Sequence, residues 1–202
     1  MDLTPTTLEG THVRLEPLTP AHAGDLLELA LDPDLWRFTT TAIGSRAELD
    51  DYIATALDWQ RRGTALPFAT IHRTSGRAIG STRFANIDRE HRRAEIGWTW
   101  VGRPYQRTAV NTEAKLLMLA HAFERMECVR VELKTDALNA RSRAAILRLG
   151  ATEEGVLRHH MVVRGGRLRD TVYYSILRDE WPRARAGLEA KLREHEGEGS
   201  GR

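Results

Sequence analysis

The stretch from Ala94 to Asn111 holds the residues best placed to do chemistry. A strand-like run, Ala94-Glu95-Ile96-Gly97-Trp98-Thr99-Trp100-Val101, meets a short loop that feeds a long apolar-faced helix. A helix start leaves several N–H groups without acceptors, and its dipole adds partial positive charge there. Such a corner suits an anion, above all a diphosphate. Arg103 and Arg107 could add charge-assisted contacts. An ordinary strand-to-helix connection looks the same, so this stretch alone leaves both readings open. A second segment, Asp136 to Ser142, follows another strand. There Asn139 is a natural helix cap and Ser142 falls on the first turn, where it could be a solvated surface residue. Cys128 starts a buried-looking strand and reads as packing. No His/Cys cluster has the spacing of a metal site.

The elements around these residues can be read from periodicity and stop signals. His12 to Leu18 alternates as a strand. Thr19-Pro20 starts a helix through Leu26, Leu27, Leu29 and Ala30. Ser45 with Glu48 forms a capping box for a helix to Arg62, stopped by Gly63. Three strands follow, Pro67 to Arg73, Ala78 to Ile87 and Ala94 to Val101, the first two joined by Ser75-Gly76. Val110 to Met126 is a helix with Leu116, Leu119, Ala120 and Phe123 on one face. Val129, Val131 and Leu133 mark a strand, and Asn139 to Leu149 a helix ended by Gly150. Val156 to Val163 and Leu168 to Leu177 make a hairpin about a two-residue Gly165-Gly166 turn. The order predicts an α/β (α+β) fold: a mixed, mostly antiparallel sheet of six to seven strands with helices on both faces. Residues 1–10 are expected to be a flexible N-terminus, 11–181 the folded domain, and 182–202 a C-terminal helix with a loose tail from Arg193.

Composition narrows the function classes. The 202 residues are 41% hydrophobic, enough for one real core, and carry a formal charge of only +2 from 30 basic and 28 acidic residues. That balance gives little reason to expect nucleic-acid binding. A single cysteine excludes an internal disulfide and points to a reducing, cytoplasmic setting. No apolar stretch approaches the ~18 residues of a membrane span.

Taken together, Ala94-Glu95-Ile96-Gly97, Gln106 through Ala114, Asn139 with Ser142, and Leu149-Gly150-Ala151 resemble the GNAT superfamily of acetyl-coenzyme A-dependent N-acetyltransferases. Glu154-Gly155-Val156-Leu157-Arg158 and Arg169-Asp170 fit the branch that contains the ribosomal-protein N-terminal acetyltransferases. The resemblance spans about Thr11 to Trp181. It implies direct attack of an amine on the thioester of acetyl-coenzyme A in a ternary complex. Gln106, Arg107, Thr108, Ala109, Val110, Asn111 and Thr112 would hold the diphosphate. Ala109 and Arg107 stand where the family often has glycine, and backbone donors survive that change. Main-chain groups near Trp100 and Val101, with Asn139, would hold the pantetheine arm.

The tyrosine acid of many relatives is replaced here by Ile146. The resemblance to the ribosomal branch, which places a serine at the position of Ser142, implies that Ser142 serves the departing thiolate. Glu95 is the first expectation for the general base and His160 the second, with Asp170, His159 and a bridging water as alternatives. Trp36 and Phe38 would border the acceptor pocket. The acceptor is expected to be a protein N-terminus or a small amine. A homodimer is common in the resembled branch, and a silent coenzyme A-binding module is the competing class.

Overall fold

The structure is a computed structural model that describes residues 1–199, with side chains through His195. It contains eight strands: β1 (Leu8–Glu9), β2 (Val13–Pro17), β3 (Leu66–His72), β4 (Ala78–Asp88), β5 (Arg93–Val101), β6 (Arg130–Asp136), β7 (Thr152–Val162) and β8 (Leu168–Leu177). The helices are α1 (Ala23–Ala30), α2 (Arg46–Arg61), α3 (Ala109–Ala120), α4 (Ala140–Leu147) and α5 (Trp181–Gly199). All strands join one sheet in the order β1-β2-β3-β4-β5-β6-β8-β7. Every neighbouring pair is antiparallel except β5 with β6.

Two apolar layers form because strand alternation sends side chains to opposite faces. On one face Leu26, Leu49, Ile53 and Ala56 of α1 and α2 meet Ala69, Ile71, Ala78 and Trp100. On the other, Val110, Met118 and Phe123 of the α3 segment, Ile146 of α4 and Leu188 of α5 meet Phe68, Ile96, Val131 and Tyr174. Buried Glu113 on α3 ties the start of β2 to this second layer. Its carboxylate accepts the amides of Thr11, His12 and Val13 at 2.8, 2.7 and 2.7 Å.

Local signals explain most boundaries. Ser45 Oγ accepts the Glu48 amide, and Glu48 in return accepts the Gly44 amide at 2.6 Å. Gly63 ends α2 with φ +71°, a conformation glycine adopts without a Cβ penalty.

Several expectations need adjustment. Residues 8–9 form β1, and Met1, Leu3 and Leu8 pack on the core. The expected helix to Met126 changes to a π-helical turn at His121–Arg125. β7 begins at Thr152, four residues ahead of the apolar signal, because an edge strand needs no apolar face to pair with β8. The hairpin loop is Arg164–Gly166, closed by the Val163 amide donating to Arg167 O, so the turn is one residue wider than Gly165-Gly166 alone. Helix α5 continues through Gly199, and the end of the expected loose tail, residues 200–202, lies outside the described residues.

Candidate active site

The sheet opens between β5 and β6. They pair only at Arg93↔Arg130, Ala94↔Val131 and Glu95↔Glu132, and beyond Glu95 their ladder stops. The cause lies in β5. Its register with β4 shifts between Ser81↔Trp100 and Arg83↔Gly97, so one extra residue sits in β5, and Trp98 takes φ +48°. Such a bulge bends the strand and re-aims its edge. Tyr52 of α2 donates its hydroxyl to Trp98 O at 3.3 Å and holds the bulge in place.

Parity decides which main-chain groups face the gap. The Gly102 amide donates to Ile79 O of β4 at 2.8 Å. Trp100, two residues earlier, also turns towards β4: a Cβ on Gly80 would stand 2.2 Å from Trp100 O. Thr99 and Val101 therefore present their amides and carbonyls to the gap. The sequence pointed to Trp100 and Val101. Only Val101 offers its main chain there, while the Trp100 indole lies on the α1/α2 face, 5.5 Å from Trp36. Nothing in the sequence marks Thr99, because the bulge that fixes the parity leaves no residue-type signal.

The gap leads to the head of α3. Thr108 caps the helix by accepting the Val110 amide, and its hydroxyl donates to Tyr105 O at 2.8 Å. A helix start has no intrahelical acceptors for its first amides, here Thr108 through Asn111, so only one of them is met by the cap. Arg107 precedes them with φ +61°, exposed and without an ion pair among the described residues. Arg103 is already committed, bridging Asp32 and Asp34 at 2.8 and 2.7 Å. Gln106 spans the mouth: its amide group donates to Val101 O at 2.9 Å and accepts from Arg141 of α4 at 2.8 Å. A small cleft beside Asn111 and Thr112 is lined also by Arg148 and Lys191. An open helix head, cationic neighbours and a strand edge with free amides fit a diphosphate joined to an extended, amide-bearing arm.

Ser142 and Asn139 lie across the gap on α4. Asn139 Oδ1 accepts the Ser142 amide at 3.0 Å, so it caps the helix. The Ser142 hydroxyl is half-buried and has no partner among the described residues. Ala109 and Val110 are buried under the core, and Thr112 is buried in the second turn of α3.

The opposite face of the gap is polar. Glu95, 3% exposed, is held by Lys134 at 2.9 Å and by the Asn86 amide group at 2.7 Å. Lys134 also stands 6.0 Å over the Trp98 ring and 5.7 Å over the Tyr173 ring. His160 is exposed on β7, edge-on to Tyr173 at 5.8 Å, one ring further from the gap. His159 takes φ +48°, and its amide donates to Asp170 Oδ1 at 2.7 Å, so both serve a bulge in β7. Trp36 is buried and donates its indole N–H to Ala30 O.

One buried group carries no sequence signal. Lys115 of α3 donates to Thr99 Oγ1 at 2.6 Å, and burial pulls its amine down to about 7. Cys128 is buried, and desolvation raises its thiol to about 11, which fits packing rather than nucleophilic attack.

The family model described as an acetyltransferase (GNAT) domain matches residues 12–152. The chain belongs to the GNAT acetyltransferase family. As a member it is an acetyl-coenzyme A-dependent N-acetyltransferase. It is 31% identical over 176 residues to the Bacillus subtilis (strain 168) protein named "Putative ribosomal N-acetyltransferase YdaF", covering 84% of this chain and 93% of that one. A Bacillus licheniformis protein named "Uncharacterized N-acetyltransferase p20" is 27% identical over 87% of this chain and 98% of its own. The crystal structure of a GCN5-related N-acetyltransferase from Brucella melitensis superposes with TM-score 0.86 at 31% identity, over 93% of this chain and 86% of that one. No helix among the described residues is long and apolar enough to cross a membrane.

Proposed function

We propose that this GNAT enzyme transfers an acetyl group from acetyl-coenzyme A to the N-terminal amine of a protein, by direct attack within a ternary complex. The observation that carries the reading is the gap between β5 and β6, which opens at the head of α3. The uncapped amides of Thr108, Ala109 and Asn111 bind the donor's diphosphate, with Arg107 adding charge. The amides of Thr99 and Val101 pair with the donor arm and polarise the thioester carbonyl. The acceptor enters from the α1/α2 face, past Trp36, Phe38 and Trp98. Its nitrogen bonds to the carbonyl carbon as the carbon–sulfur bond breaks, and the Ser142 hydroxyl donates a hydrogen bond to the departing sulfur.

Lys134 and the Asn86 amide group hold the Glu95 carboxylate in place, so it orients the acceptor. His160 takes the amine's proton through a bridging water, and the thiolate leaves hydrogen-bonded to Ser142. The protein acceptor follows from the likeness to YdaF, whose name says ribosomal. The tests are calorimetry with acetyl-coenzyme A and release of free thiol over a panel of amines. Ser142→Ala is expected to lower kcat by about tenfold or more, with the melting temperature and donor affinity unchanged. Unchanged turnover removes Ser142 from the reaction, and no binding heat at millimolar donor removes the whole reading.

A further inference from the structure

The acceptor face of the gap carries more positive charge than its own carboxylates can balance. Arg169 of β8 is 6% exposed. Its Nε donates to Thr171 Oγ1 at 3.1 Å, and among the described residues no carboxylate stands within ion-pair distance of it. The charged and titratable groups it feels are Asp136, Arg167, Glu95 and Tyr173. A second guanidinium, Arg83 of β4, is 1% exposed and sits 4.7 Å over Tyr52 and 5.4 Å over both Trp59 and Trp98. Its Nε and Nη2 have no hydrogen-bond partner among the described residues.

The carboxylates nearby are already taken. Glu95 is paired with Lys134. Asp136 is paired with Arg167 and also accepts the Leu138 amide at 3.0 Å. Glu132, next along β6, is held by Arg93 and Arg130. Beside the gap, four cations (Arg83, Lys134, Arg167 and Arg169) therefore face two carboxylates, Glu95 and Asp136. A buried guanidinium stays charged and costs free energy without a counter-ion. Such a face repels a polyamine and attracts an amine that brings negative charge of its own.

We propose that Arg169 selects the acceptor: its guanidinium clamps a carboxylate carried a few bonds from the reacting amine. This rests on the acetyl transfer proposed above and narrows its substrate class. The carboxylate has two sources, the α-carboxylate of a free amino acid or an acidic side chain in the first residues of a peptide. Planar guanidinium matches carboxylate through two parallel N–H···O bonds, whereas lysine offers a point charge.

The test uses the full chain and paired acceptors: alanine against alaninamide, tripeptide amides with Asp against Asn at the second residue, and spermidine. The expected result is a kcat/KM about ten- to a hundredfold higher for the carboxylate member of one pair, mostly through KM, with spermidine poorest. The pair that shows it names the source. Arg169→Gln is expected to collapse that ratio to about one, with the donor's Kd kept. Arg169→Lys is expected to keep part of the ratio, and it decides the matter together with the wild-type ratio if Arg169→Gln does not fold. Equal kcat/KM within both pairs, an equal loss for both members in Arg169→Gln, or a preference for spermidine overturns the inference while acetyl transfer stands. No transfer to any acceptor removes both.

Discussion

At the scale of single residues, Lys115 is a cation buried without a counter-ion. It is 5% exposed, its ammonium meets Thr99 and Thr82 hydroxyls, and no carboxylate pairs with it among the described residues. Burial lowers its amine from 10.5 to about 7. Between those values the unfolded chain binds the extra proton and the folded chain does not. Stability therefore rises with pH from about 7 to 10.5, by at most about 1.4 kcal/mol per pH unit, and is lost as pH falls back through 7. Urea unfolding at pH 7 and pH 9 is expected to show the rise in the wild type and a flat response in Lys115→Met. A flat wild type places the amine elsewhere. No sequence pattern marks this lysine, because it sits at one position of an otherwise apolar helix face, and only the bulge brings Thr99 over it. The cap of Asn139 on Ser142, by contrast, was legible from residue types three apart, since capping is a local interaction.

At the scale of elements, the approach of β4 to β5 is what lets the bulge form. Gly80 stands where a side chain would strike Trp100 O and the Val101 Cα, at 2.2 and 2.9 Å. Both contacts are backbone, so nothing can swing aside. Gly80→Ala is expected to destabilise the protein by about 2 kcal/mol and lower its melting temperature by about 4–8 °C, because β5 must shift. A melting curve unchanged by the substitution would show that the strands can spread freely. Strand order along the chain could be read well, since Ser45, Gly63, Gly76 and Gly150 punctuate it and alternation marks β3 to β6. Register could not be read. The bulge at Trp98 arises from one extra residue in its pairing and the one at His159 from two, and a pairing partner is a long-range fact. For the same reason the start of β7 carries no signal: its residues from Thr152 are mostly exposed, so no periodicity announces an edge strand that is held by its ladder alone.

At the scale of the whole molecule, two sheet halves, β1–β5 and β6–β8, share a ladder of only three residue pairs. A donor that pairs with the edge of β5 and with the head of α3 adds contacts absent from the unfolded chain. At a donor concentration of 100 times Kd the stabilisation is about 2.7 kcal/mol, and the melting temperature is expected to rise by about 5–10 °C. A melt that ignores coenzyme A at that concentration counts against the gap as its site. The fold class followed from the alternation of elements and from the family resemblance. The charge of the acceptor face did not, because Arg83, Lys134, Arg167 and Arg169 come from three strands and a hairpin loop and meet only in space. The opening also has a property of its own. Backbone pairing fixes it at one end only, and the layer of α3 and α5 behind it, where Phe123 stacks on Trp181 and Leu188 is buried, sets its gauge at the other. If acetyl transfer runs through this opening, its geometry is calibrated from the rear, by apolar side chains that touch neither reactant, and Leu188→Ala is expected to detune turnover from the far side of the sheet.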